Sequence, residues 1–241
     1  MESIVPDVYG MPPDMTIRHG LRIYVLSTLC AAFALLQWAI IGYFSDWRKY
    51  RMPQVRYGYW LMATFFGICV LSCTPIGRKF PWNVALMLII VESSTLYIAM
   101  EQQNTKGLLV NLYAGLLVFA LVTASIFYGS YFPMRWVPGD LMLSLLVATS
   151  NLMLIAFFLN AYIFDNFTVY TIVRNYFAMT AIMMIIYTAT IIHDRQFVVP
   201  KNEYLFLSAL LFFGHMILHE RVLAFSVHNE YNTDCTLLYF L

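Results

Sequence analysis

Leu108–Tyr128 runs for twenty-one residues without a charged side chain, Leu141–Phe164 for twenty-four and Ile23–Phe44 for twenty-two. Those lengths constrain the fold more than any other feature, because a hydrocarbon core about 30 Å thick is crossed by about 20 apolar residues of α-helix. Only helices and closed barrels satisfy every backbone group inside lipid, and these runs are too long and continuous for barrel strands. Seven spans are predicted: Ile23–Phe44, Tyr59–Ile76, Trp82–Met100, Leu108–Tyr128, Leu141–Phe164, Tyr176–Ile192 and Tyr204–Leu223, the seventh being the weakest of the set. The links between them are short and carry charge or proline, so consecutive helices must run antiparallel in one bundle. The expected organisation is a polar N-terminal tail at 1–20, a transmembrane domain at 21–225 and a C-terminal tail at 226–241.

Composition excludes the soluble alternatives. The 241 residues are 61% hydrophobic and 11% charged, against about 45–50% and about 25% in soluble domains, so too few charged side chains remain to coat a water-facing surface. The lipid bilayer is therefore the first partner. A net charge of +1 gives no field to gather a polyanion, and nucleic acid is not expected as a ligand. Cys30, Cys69 and Cys73 fall inside apolar runs and read as reduced packing residues. Trp38, Trp47, Trp60, Trp82 and Trp136 fall near span ends, where amphipathic rings favour the headgroup zone. The polar, proline-bearing start does not fit a cleaved signal peptide.

Orientation is not decided by charge. Arg18, Arg22, Arg78, Lys79, Arg135, Arg195 and Lys201 lie on the side of the N-terminus, and Arg48, Lys49, Arg51, Arg56, Lys106, Arg174 and Arg221 on the other, a tie at seven each. Glycosylation at the one acceptor tripeptide, Asn166-Phe167-Thr168, would place that link in the lumen and the N-terminus in the cytoplasm. Small residues at Ala31, Ala32 and Ala34, at Gly115, Ala120 and Ala124, and at Ser144, Ala148 and Ser150 are expected to form close-packing faces.

No nucleophile elbow, phosphate loop or zinc-protease motif is present, so no enzyme activity is expected. The chemistry that remains is that of ionisable groups in or beside the membrane. Glu92 lies ten residues past Trp82, near the bilayer midplane, and is expected to face the bundle, either handling a proton or cation or bonding Ser93, Ser94 or a serine of another helix. His215 and His219 share a helical face; with further ligands that spacing holds a metal, and without them the imidazoles are polar groups satisfied inside the bundle. Asp194, between His193 and Arg195 at the end of the sixth span, is either a cation ligand or gate residue, or a helix-end charge paired with Arg195 or water. Arg78 and Lys79 sit at a span start, where basic side chains snorkel to headgroups.

Several stretches between Ile17 and Leu223 together resemble the Bax-inhibitor-motif family, in its lifeguard branch. They are Leu21-Arg22-Ile23-Tyr24 at the first helix, Arg78-Lys79-Phe80-Pro81-Trp82-Asn83 at the start of the third, Glu92-Ser93 within it, and Leu121-Val122-Thr123 with Tyr128–Phe132 at the end of the fourth. Asp194-x-Gln196 followed by Glu203-Tyr204-x-Phe206 completes the set, linking helices six and seven. The resemblance implies an all-α seven-helix bundle with its last helix at the centre, an endoplasmic-reticulum or Golgi membrane and a cytoplasmic N-terminus. It further implies calcium or proton leak tied to regulation of apoptosis, calcium being held or gated at Asp194 with Glu92 in the pore wall and no other cofactor. In such proteins two aspartates, on helices six and seven, share a proton and latch the pore, and a basic residue such as Arg78 can pair with the latch. Asp194 stands at the first latch position, and Gly214 occupies the second. The remaining partners for Asp194 are His215 beside the vacated position, Arg78, Arg195 or water. The departure also admits a non-conducting regulator that acts through cell-death membrane proteins.

Overall fold

The computed structural model describes residues 13–44, 54–74, 79–101, 108–133, 137, 139–164, 166–193 and 204–238. All regular structure among them is helical: α1 Pro13–Phe44, α2 Gln54–Cys73, α3 Trp82–Glu101, α4 Leu108–Tyr131, α5 Asp140–Leu159 closing in a π turn Asn160–Phe164, α6 Phe167–Ile192 and α7 Tyr204–Leu238. Six contain a stretch long and apolar enough to cross a bilayer: Gly20–Ile41, Trp82–Met100, Tyr113–Tyr131, Ser144–Phe164, Thr168–Ile192 and Tyr204–Phe225. The apolar part of α2, Gly58–Leu71, is shorter. The sequence made the seventh helix the weakest span; the structure gives that place to the second. Helix also continues past both boundaries drawn from composition, starting at Pro13 in α1 and reaching Leu238 in α7.

The outer surface is apolar. Leu29, Phe66, Phe119 and Leu152 are all at least 61% exposed, an arrangement that water would oppose and lipid tails accept. The chain is an all-α integral membrane protein. Burial is concentrated in α7: 78% of its apolar core lies inside the bundle, against 22% for α1 and 18% for α5. Its neighbours are α1, α2, α3, α4 and α6, while α5 packs chiefly on α6. α7 is thus the axis around which the other helices are placed.

Close approaches occur where a side chain is missing or small, as helix pairs in lipid require. A Cβ on Gly129 of α4 would lie 2.3 Å from the Ile186 carbonyl oxygen of α6, and the Thr190 hydroxyl donates to the Gly129 carbonyl at 3.1 Å in the same place. Gly67 of α2 lies against Ile90 of α3, next to Thr64, whose hydroxyl shares hydrogen bonds with Ser93 at 2.8 Å and Ser94 at 3.3 Å. Ser208 of α7 donates to the Ile23 carbonyl of α1 at 3.2 Å. These are not the small-residue faces read from sequence. Ala31, Ala34 and Ser150 are buried, but Ala32, Ala120, Ala124, Ser144 and Ala148 point outward, and a Cβ on Gly115 would meet nothing within 4 Å. Small residues permit close contact; the bundle uses only those that face a neighbour.

The join between α5 and α6 is closed by side chains. Asn160, 2% exposed, accepts from the Asn166 backbone N–H at 3.1 Å and donates to its carbonyl at 3.0 Å. Asn166 in turn caps α6 by accepting from the Thr168 N–H at 2.9 Å. The asparagine read as a glycan acceptor is therefore exposed at a helix start with its side-chain oxygen engaged.

Candidate functional site: a polar level across the bundle

Contacts set the directions of the helices. Near one end Gly20 of α1 meets Ile192 of α6, and Tyr24 pairs with His193, hydroxyl to Nε2 at 3.4 Å. Further along, Gln37 and Trp38 of α1 meet α3 and α7 at a level that α6 reaches only at Arg174. α1 and α7 therefore run together and α6 runs opposite. The two ends can be named by His193 and by Arg174.

At the His193 end lie most residues of the family resemblance. Asp194, Arg78, Gln196 and Glu203 fall outside the described residues. Lys79, Phe80 and Pro81 form an exposed lead into α3, and Asn83, half-buried, begins its first turn. Tyr204 is exposed at the start of α7. Gly214 is buried, but it faces the middle of α6: a Cβ there would lie 2.8 Å from Ile185 Cγ1 and 3.4 Å from the Ala181 carbonyl oxygen. Ile185 is eight residues before His193, about 12 Å of helix. Position 214 thus looks at an apolar stretch of α6 well inside the bundle and not at the end of that helix.

The charged groups of the interior gather nearer the Arg174 end. Arg174 of α6 and Glu220 of α7 form an ion pair whose side chains are only 13% and 3% exposed, and the Arg174 guanidinium sits 5.0 Å over the Tyr170 ring. Next to them, Arg221 donates from Nε to Asn175 Oδ1 at 2.7 Å. His219, 2% exposed, meets the Trp38 ring edge-on at 5.6 Å. Trp38, three residues from the end of the span Gly20–Ile41, thus packs on α7. Neither nitrogen of His219 has a hydrogen-bond partner among the described residues, and His215, one turn back, is half-buried. Among the described residues no three His, Cys, Asp or Glu side chains gather to hold a metal, so the two histidines lack the further ligands that a site needs.

The same level extends across α1 to α3, where Gln37 Nε2 donates to Glu92 Oε1 at 2.8 Å. Here the structure corrects an expectation. Glu92 is exposed on the outside of α3, and it is Ser93, Ser94 and Thr95, all under 5% exposed, that face inward. The helical turn explains this for Ser93 and Ser94, whose hydroxyls bond carbonyls one turn earlier and the Thr64 hydroxyl of α2, turning Glu92 away from that contact. An acidic side chain at the centre of a span costs about 2.5–3.5 kcal/mol on insertion scales. Glu92 bears that cost outside the bundle.

Sequence reading missed Arg174, Glu220 and the Asn175–Arg221 bond, having set Arg174 in a link and left Glu220 unremarked. One signal was available: a sixth span beginning at Tyr176 is seventeen residues long, at the short end of what crosses a bilayer, and extending it brings Arg174 inside opposite the Glu220-Arg221 pair. A cavity of about 150 Å³ also lies between α2, α5, α6 and α7, walled by Phe65, Phe177, Met184, Leu210 and Phe213 beside Gly214. No family model, curated protein or solved structure matches this chain.

Proposed function

We propose that this chain is a divergent lifeguard-type protein of an endoplasmic-reticulum or Golgi membrane, with seven membrane-spanning helices, that passes or buffers a cation such as calcium and so bears on the regulation of apoptosis. The observation that carries the reading is the central helix. α7 is enclosed by five neighbours and bears His215, His219, Glu220 and Arg221 in succession, and ionisable groups held inside a membrane bundle mark ion or proton pathways by default. The inner position of the last helix also agrees with the family resemblance. A cytoplasmic N-terminus rests on the family resemblance alone, because the loop charge is nearly even: Arg18 and Arg22 lie within α1, Arg56 within α2, and Arg174 and Arg221 within α6 and α7, so the N-terminal side keeps five of its seven basic residues and the opposite side four.

One observation favours the non-conducting reading. At the second latch position Gly214 touches Ile185, an apolar contact with no room for a carboxylate. Calcium efflux from liposomes containing the purified protein, compared at about pH 5 and 8, separates the two. A leak that changes with pH and falls in Asp194→Asn supports conduction; no leak at either pH removes it. Gly214→Asp combined with Ile185→Ala, which clears the space, adds pH sensitivity if position 214 still serves as a latch. If the double variant behaves like Gly214→Ala with Ile185→Ala, the latch has no role in this chain.

A further inference from the structure

We propose that the outer face of α1 and α3 around Glu92 is a docking surface for a transmembrane helix of another protein that carries a lysine or arginine at the same depth. Glu92 lies ten residues into the span Trp82–Met100, about 15 Å along its axis, so its short side chain cannot reach the interface at either end. Its one partner among the described residues is Gln37 Nε2. Around it the face is apolar, with Phe33, Leu36 and Ile40 of α1 and Leu88 and Ile89 of α3 between 47% and 60% exposed. Ala85, two turns before Glu92 and also exposed, leaves space for a helix to come close.

The missing chemistry is a donor. Gln37 gives one of its two amide N–H groups to Glu92, its own carbonyl oxygen has no partner among the described residues, and the carboxylate is left with acceptor capacity and no countercharge. Lipid tails provide no donor. A second copy of this chain would bring another glutamine amide but also another carboxylate to the same place, adding like charge with no cation to offset it. A basic side chain on a partner helix supplies both the proton donor and the countercharge, and in lipid such a pair is dry enough to hold two helices together. This inference is independent of whether the chain conducts.

The test uses the full chain in phosphatidylcholine vesicles, with donor dye on the protein and acceptor dye on synthetic leucine–alanine transmembrane peptides. One peptide carries a single central lysine, one carries it a turn from the end, and one has none. The expected result is energy transfer to the central-lysine peptide with affinity at least about tenfold above the other two, a gap of about 1.4 kcal/mol. Glu92→Gln, which keeps the shape and the Gln37 contact, is expected to abolish that preference, and Glu92→Lys to transfer it to a central-glutamate peptide. Equal transfer to all three peptides overturns the proposal, as does a lysine preference that survives Glu92→Gln. Energy transfer between two labelled copies that depends on Glu92 and excludes the peptide also overturns it and assigns the face to self-association.

Discussion

Removing one member of the Arg174–Glu220 pair tests whether the polar level lies inside the bundle or at its wet margin. Both side chains are nearly enclosed, at 13% and 3% exposed, so Glu220→Gln leaves a guanidinium without its carboxylate in a site of low polarity, over the Tyr170 ring at 5.0 Å. Breaking a buried pair in this way costs about 3–5 kcal/mol, whereas replacing both partners by apolar residues of similar size is often neutral or stabilising. Ordinary hydrogen-bond couplings between membrane helices average only about 0.6 kcal/mol. The expected loss for Glu220→Gln is therefore several times the background, a shift of roughly two to three and a half powers of ten in the folded-to-unfolded ratio.

The measurement is reversible unfolding in mixed micelles with rising denaturing detergent, followed by the fluorescence of Trp38, which reports the same level through its contact with His219. Glu220→Gln and Arg174→Gln are each expected to lose about 3 kcal/mol or more, and Arg174→Leu with Glu220→Leu to lie within about 1 kcal/mol of the native chain. The double-mutant cycle then gives a coupling well above the helix–helix average. Single-variant losses below about 1 kcal/mol, the range of solvent-exposed pairs, would refute the burial argument and place both charges in contact with water.

Four further outcomes follow from the packing. Gly129→Leu drives a side chain into the Ile186 carbonyl 2.3 Å from its Cβ position and is expected to cost at least the 1–3 kcal/mol or so of overpacking, visible as a lower detergent midpoint as α4 is pushed away from α6. Asn166→Ala removes the α6 cap and is expected to cost about 1 kcal/mol in the same assay; a neutral result means that Asn160 alone closes the α5–α6 join. Ser150→Ala is expected to stay within about 0.5 kcal/mol of native, because the buried Ser150 hydroxyl has no partner to lose among the described residues, while Ser93→Ala, which removes the 2.8 Å bond to the Thr64 hydroxyl but leaves Thr64 its bonds to Ser94 and the Trp60 carbonyl, is expected to cost about 1 kcal/mol.

The spans were legible because lipid makes a one-dimensional demand, enough apolar length, that a sequence states directly. Boundaries failed where a helix carried charge inward. Counting Arg174 as the end of a link placed the start of the sixth span at Tyr176, nine residues late, since a single chain shows a charge but not the Glu220 that neutralises it from a distance of forty-six residues. Facing direction was also beyond reach. α3 has apolar residues on every side, so no periodicity separated Glu92 from Ser93 and Ser94; the choice was made by α2, whose Thr64 and Gly67 receive the serine side of the helix.

The polar level has a further consequence for how α7 is held. Four of its interactions, Ser208 with Ile23, His219 with Trp38, Glu220 with Arg174 and Arg221 with Asn175, attach it to α1 or α6, while its other buried side chains, Leu210, Leu211, Phe212, Met216 and Leu218 among them, are apolar. Interdigitated apolar side chains hold a helix by shape alone, whereas an ion pair adds a directional restraint on rotation and depth. α7 is thus fastened on its α1–α6 side at two levels, near Ser208 and near Glu220, and between those levels lie Gly214 and His215. In that middle segment the missing side chain of Gly214 sets Ile185 directly against the α7 backbone, and Phe213 meets the Phe65 ring of α2 edge-on at 5.1 Å. Filling position 214 acts on the α6–α7 packing between the fastenings, and loss of the Glu220 charge releases one of them; the two perturbations reach the same helix through different restraints.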